Sequence, residues 1–326
     1  MPLTRACGLA QIEGGALMVT KPAHGLRARI ARRPLLYRFL SSPLTVVASI
    51  FGGMMLLAAI LAPLIAPHDP FDMASLDLLN SLLPPSWHEG GDPAFLLGTD
   101  DQGRDLFSAL LYGTRTSLMV GGISVGAAVF LGVLFGLLAG YFGGITDALV
   151  MRVVDIQMTF PAIMVALLID GVSRGFLPAD QHDRLAIFVI IFALSLSIWP
   201  QVARTVRAST MVQRQRDYVL AAQVTGIPTP LILMRHVLPN VLGPVLVIAT
   251  INLGVAILGE ATLSFLGVGI PASEPSLGTL IRIGNGFLFS GERWLVVFPG
   301  MTLALLVLSV NLVGDWLRDV LDPKPR

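Results

Sequence analysis

The sequence predicts an all-α polytopic membrane protein with six transmembrane helices, and three observations predict it. Hydrophobic residues make up 54% of the 326 residues and charged residues only 13%, against about a quarter charged in soluble domains. Five stretches of roughly 20 residues carry no charge, the length that crosses ~30 Å of hydrocarbon. The basic residues are segregated: 16 of the 22 arginines and lysines fall on one side of the implied membrane.

Residues 1–38 form a basic N-terminal segment holding seven of those cations. Its first seventeen residues lack the sustained apolar core of a cleaved export signal, and Met18 is as good a start as Met1. The first span lies within Phe39–Pro67, and residues 68–115 form an outer loop. From Ala66 to Arg115 there are eight carboxylates against two arginines. In that loop Asp100, Asp101, Arg104 and Asp105 read as a solvated turn, because "DDQGRD" lacks the alternating oxygen ligands of a calcium loop. A five-helix core follows over residues 116–316. Its first helix, Thr116–Thr146, carries Gly122 and Gly126, then Gly132, Gly136 and Gly140, a stripe of bare backbone suited to close packing inside the subunit or against a partner.

The next span, about Ala148 to Ile169, contains Arg152 and Asp155, which are three apart and therefore expected to pair on one helical face. Pro161 here and Pro200 in the Leu185–Ala203 span are expected to bend their helices. Val237–Gly259 and Trp294–Gly314 complete the set, and residues 317–326 form the C-terminal tail. Positive charge is retained in the cytoplasm, so both termini and the loop 204–240 are placed there. The single cysteine, Cys7, excludes an internal disulfide and fits a bacterial inner membrane. A net charge of +1 gives no reason to expect nucleic acid as a partner.

The loop contains "AAQVTGIPTPLILMRHVLPN", Ala221 to Asn240. Good helix formers after Asp217 run to Gly226, a helix-stopping glycine. Pro228 and Pro230 suit the first turn of a second helix, which is expected to run to Pro239 and end there. Leu231, Ile232, Met234 and Val237 exceed what a solvated loop needs and imply burial against something. An interfacial hairpin resting on lipid headgroups is the alternative.

The same stretch resembles the coupling motif of binding-protein-dependent ABC importer permeases: Glu-Ala-Ala, three residues, Gly, nine residues, Ile, one residue, Leu-Pro. Ala221, Ala222, Gly226, Leu238 and Pro239 match at the family's spacing, whereas Leu220 replaces the glutamate and His236 the isoleucine. The His-Val-Leu-Pro-Asn ending is similar to the peptide-importer branch. Further blocks resemble its second permease subunit: "LLGTDDQGRDLFSALLYGTRTSL", "GYFGGITDALVMRVVDIQMTFP" and "LGEATLSFLGVGIPASEPSLGTLI". The first span resembles that subfamily's extra N-terminal helix.

The resemblance implies a type I ABC importer permease fold and import of dipeptides or oligopeptides. It also implies four kinds of partner besides the bilayer: a homologous permease, two ATP-binding cassette ATPases and an extracytoplasmic solute-binding protein. Nickel chelates, glutathione and other peptide-like solutes are alternative cargoes. Coupling would work by shape, with Ala221 and Ala222 allowing close approach, Gly226 the bend and Pro239 the end of the second helix. The only lysines, Lys21 and Lys324, each precede proline, so the chain has no phosphate loop. No cofactor is therefore expected on this chain, with ATP and Mg on the partner ATPases. No metalloprotease, nucleophile-elbow or zinc motif is present, which counts against a membrane enzyme and gives neither catalytic nor metal-binding residues. An ion-driven transporter would show inverted repeats and several intramembrane acids. Glu260, at the end of an apolar helix, is expected at the outer membrane surface, solvated or paired with a donor, or facing the translocation pathway.

Overall fold

The computed structural model describes residues 39, 42–70, 78–176, 178–271, 274 and 276–321. The basic segment 1–38 and the tail cations Lys324 and Arg326 lie outside the described residues. The chain divides into two units, Met1–Ser42 and Pro43–Arg326. In the first, only Phe39 and Ser42 are described, and Ser42 N–H donates to the Phe39 carbonyl at 3.1 Å.

The second unit is a bundle of helices. Helix α1 (Pro43–Ile60) is followed by the short α2 (Ala62–Ile65). Helix α3 (Leu106–Phe142) leads through Gly143 to α4 (Gly144–Met158) and α5 (Ala162–Phe176). Helix α6 (Ala179–Arg214) precedes α7 (Asp217–Val224) and α8 (Thr229–Ile232). Helix α9 (Leu238–Phe265), α10 (Leu277–Asn285) and α11 (Trp294–Leu321) complete it. Among the described residues, five helices are long and apolar enough to cross a membrane, and α4 with α5 forms a sixth candidate bent by 88°. The expected third span is thus present but broken. Pro161 has no N–H and drives the preceding residue out of the helical region, and the break falls at Thr159–Pro161. Helix α6, in contrast, runs unbroken through Pro200.

Polar contacts show that the broken pair traverses the bundle. Near its start Asp147 pairs with Arg207, late in α6. Near its end Arg174 Nη2 donates to the Gly267 carbonyl, just beyond α9, at 3.5 Å. Counted as one span, the broken pair brings the candidate traverses among the described residues to six. The expected Arg152–Asp155 pair is not formed: Asp155 takes Arg204 at 2.6 Å, and Arg152 is exposed. A basic residue on α6 offers Asp155 a partner that sequence proximity does not reveal.

The glycine stripe divides in two. A Cβ on Gly132 would lie 2.5 Å from Val202 Cβ, one on Gly136 2.6 Å from the Ala203 carbonyl oxygen, and one on Gly140 2.7 Å from the Arg207 carbonyl oxygen. This half of the stripe seats α6 on the α3 backbone. Gly122 and Gly126 meet nothing within 4 Å and are exposed.

The turn before α3 is buried rather than solvated. Thr99 and Asp105 form an isolated antiparallel bridge, and Asp100 and Arg104 make a buried ion pair at 2.6 Å. Asp105 caps α3 by accepting from the Phe107 and Ser108 N–H groups, a contact that satisfies otherwise orphaned donors. Burial, then the charge of Asp100, pushes the neighbouring Asp101 carboxyl up, and its Oδ1 is buried without a hydrogen-bond partner. A carboxyl held above its usual range loses its stabilising contribution as pH rises through that range. Asp101→Asn is therefore expected to raise the thermal midpoint slightly at pH 7. The gain should vanish below about pH 4, where both side chains are neutral; a gain independent of pH would refute this account.

Candidate functional site

The hairpin between α6 and α9 is built from two helices joined at a fixed angle. Helix α7 opens with Asp217 in its first turn, where a carboxylate complements the helix dipole. It stops as expected: Gly226 adopts φ 78°, a left-handed conformation that costs a glycine nothing. Gly226 N–H donates to the Gln223 carbonyl at 3.0 Å and Ile227 N–H to the Ala222 carbonyl at 3.1 Å, the two bonds of a Schellman motif. Pro228 is the N-cap of α8, and Pro230 lies in its first turn.

The second arm does not end at Pro239. Residues Leu233–Val237 form a π-helical turn that leads directly into α9, and Leu238 N–H donates five residues back to the Leu233 carbonyl. Thr229–Phe265 is thus one 37-residue helical run. Proline would collide with the carbonyl four residues earlier in a regular α-helix, and the wider π turn relieves that collision.

The expected coupling residues fall on two faces. Ala222 is buried in the chain's own core with Val219, Ile232 and Val237, beside Tyr141 of α3, Val206 of α6 and Val241 of α9, and Leu238 packs against the same cluster. Ala222 therefore faces the hairpin's own spans. Leu220, Ala221, Gly226 and Pro239 are exposed, and Leu231, Met234 and Val224 continue the surface, Val224 at 88% exposure. His236 is half-buried, with Nδ1 unpartnered. Half of the apolar surplus in the sequence is thus satisfied internally, and half remains as an outward apolar surface.

Three contacts missed by the sequence reading brace this end. Arg207 Nη2 donates to Asp147 Oδ2 at 2.6 Å, Arg214 Nη1 to the Tyr141 carbonyl at 2.7 Å, and Gln223 Nε2 to Tyr141 Oη at 3.1 Å. The available signal was the run of arginines at 204, 207 and 214, which places cations along the last turns of α6.

Glu260 is buried rather than solvated, and of the expected arrangements it shows the pairing with donors. It is 0% exposed and accepts from Ser117 Oγ of α3 at 2.7 Å and Ser264 Oγ at 2.8 Å. The Ser117 oxygen also accepts from the Leu277 N–H of α10 at 3.4 Å. The carboxyl group joins α3 to α9 and sits beside the start of α10, at the end opposite the hairpin.

Comparison with known proteins bears on both features. Residues 132–326 match the family described as binding-protein-dependent transport system inner membrane component, and residues 32–85 match the N-terminal TM domain of oligopeptide transport permease C. The dipeptide transport system permease protein DppC of Haemophilus influenzae is 40% identical over 278 residues, covering 85% of this chain and 90% of that protein. The oligopeptide transport system permease protein OppC of Bacillus subtilis is 36% identical over 290 residues, 89% of this chain and 88% of the relative. Among solved structures, an inward-facing MetNI methionine ABC transporter superposes with a TM-score of 0.51. The match has 19% identity and covers 66% of this chain and 96% of the other, a likeness of fold.

Proposed function

The chain belongs to the family of binding-protein-dependent transport system inner membrane components, and from that premise we propose that it is a permease subunit of an ATP-driven dipeptide or oligopeptide importer. It forms half of the translocation pathway with a homologous permease, and it is a transport subunit, not an enzyme. ATP and Mg are bound by two separate ATPase subunits, and a solute-binding protein delivers cargo from the outer side. The protein lies in the bacterial inner membrane with both termini cytoplasmic.

One observation carries the mechanism: the hairpin's inner face belongs to the same apolar core as α3, α6 and α9, while its outer face is apolar and exposed among the described residues. An ATPase groove that takes the outer face displaces the spans together with the hairpin, converting ATPase closure into alternation between inward-open and outward-open states. Leu220, Ala221, Gly226 and Val224 provide the contact. Ala222, Val219, Ile232, Val237 and Leu238 anchor it, with His236 and Pro239 at the junction to α9.

Val224→Cys tests this directly. A crosslink from position 224 to a phosphate-loop ATPase in isolated membranes supports the reading; labelling of that cysteine in intact cells by an impermeant thiol reagent places the hairpin outside and overturns it. Leu220→Glu restores the residue usual in the family on an exposed position. Although the position is in the proposed contact, assembly with the ATPases and uptake should stay within about twofold of the parent, a change of no more than ~0.5 kcal/mol, because the substitution supplies the family's usual residue. Loss of assembly would mean that this partner's groove has become apolar.

A further inference from the structure

Two prolines meet at one level of the bundle. Pro200 supplies no N–H to the carbonyl four residues earlier, that of Leu196, and lipid offers no donor in its place. The missing donor comes from another helix: Gln157 Nε2 of α4 donates to the Leu196 carbonyl. Gln157 is itself the residue four before Pro161, and its own carbonyl accepts from Phe160 N–H at 3.2 Å as the helix breaks. Its side-chain Oε1 accepts from Trp199 Nε1 at 2.9 Å, and Trp199 is buried. Two helices thus each lack a regular backbone bond within a turn of the same point, and a single half-buried amide joins them there.

The surroundings favour a moving joint over a static filler. Val154 is the fully buried side chain of α4; polar ties to Arg207, Arg204 and Leu196 hold this helix to α6. Beyond the 88° break, α5 instead packs through Ala166 against Ile190, Ala193 and Leu194 in the first half of α6. The two proline positions therefore separate a hairpin-side half of the α4–α5–α6 unit from a far-side half.

We propose that Gln157 is the positioning residue of a hinge shared by the broken α4–α5 span and the continuous, proline-bearing α6, keeping both in register so that hairpin motion reaches the far half. The proposal rests on the permease reading, which supplies the motion.

A double-variant cycle in the ATPase-containing complex, reconstituted with its binding protein, tests it. Thermal midpoint, ATP hydrolysis and uptake of a labelled peptide retained by that binding protein are measured together. Gln157→Leu should lower the midpoint and reduce uptake per ATP by about tenfold, a coupling loss readable as a kinetic difference. Pro200→Ala restores an N–H for Leu196, so Gln157→Leu/Pro200→Ala should regain the midpoint while uptake per ATP stays low. Recovery of both in the double variant would reduce Gln157 to a carbonyl partner and overturn the proposal, as would unchanged uptake per ATP in Gln157→Leu. Failure of the parent chain to assemble with ATPases would overturn the permease reading instead. In that case the midpoints of the isolated chains still decide the contact: no destabilisation by Gln157→Leu rejects it.

Discussion

Gly226→Pro is expected to leave the protein inserted in the membrane and to abolish both peptide uptake and stimulated ATP hydrolysis. Gly226 holds φ 78°, whereas proline is locked near −65°. The substitution also deletes the N–H that donates to the Gln223 carbonyl and displaces Ile227 from its bond to Ala222. The angle between α7 and α8 is then lost. The spans are spared, because nothing lies within 4 Å of the position a Cβ would take on Gly226. Gly226→Ala separates geometry from gross damage: it keeps the N–H and carries only the left-handed penalty of about 1–2 kcal/mol, so it should retain partial coupling. Uptake by Gly226→Pro at a near-normal rate in proteoliposomes would show that the hairpin is not the coupler.

Gly136→Leu is expected to prevent stable folding of the chain. The new Cβ alone would lie 2.6 Å from the Ala203 carbonyl oxygen and 2.7 Å from Val206 Cβ. Neither can withdraw without separating α3 from α6. Ordinary overpacking costs about 1–3 kcal/mol; a leucine forced against backbone exceeds that range. Gly126→Leu, ten residues earlier on the same helix, meets open space and should leave the thermal midpoint of the isolated chain unchanged. If it weakens association with the partner permease, that surface is part of the intersubunit contact. Equal destabilisation by both variants would contradict the division of the stripe.

The sequence disclosed features governed by local chemistry and hid those governed by distant partners. The spans, the break at Pro161 and the glycine stop at Gly226 were legible because hydropathy, proline sterics and glycine's backbone freedom act within a few residues. Sequence proximity offers Asp155 only Arg152 as a partner, because Arg204 lies 49 residues away. Burial of Glu260 depends on Ser117, 143 residues distant, and could not be inferred from the apolar helix that bears it. Pro239 differs for another reason: proline sterics predict a helix end there, and the backbone accommodates the ring by widening one turn. The apolar surplus of the hairpin announced burial without revealing how much of it the chain supplies for itself.

The second hairpin arm and α9 form one continuous helical run through the π turn, so a displacement of the arm is passed to α9 along a single helix. At 1.5 Å per residue, Thr229 stands about 46 Å from Glu260, whose carboxyl group is fastened to α3 by Ser117. With that far point fixed, each degree of tilt sweeps the hairpin through roughly 0.8 Å, by the same rise per residue. The polypeptide is geared like a long-handled lever: under the proposed coupling, a stroke of several ångströms at the hairpin would emerge as a rotation of only a few degrees near the carboxyl.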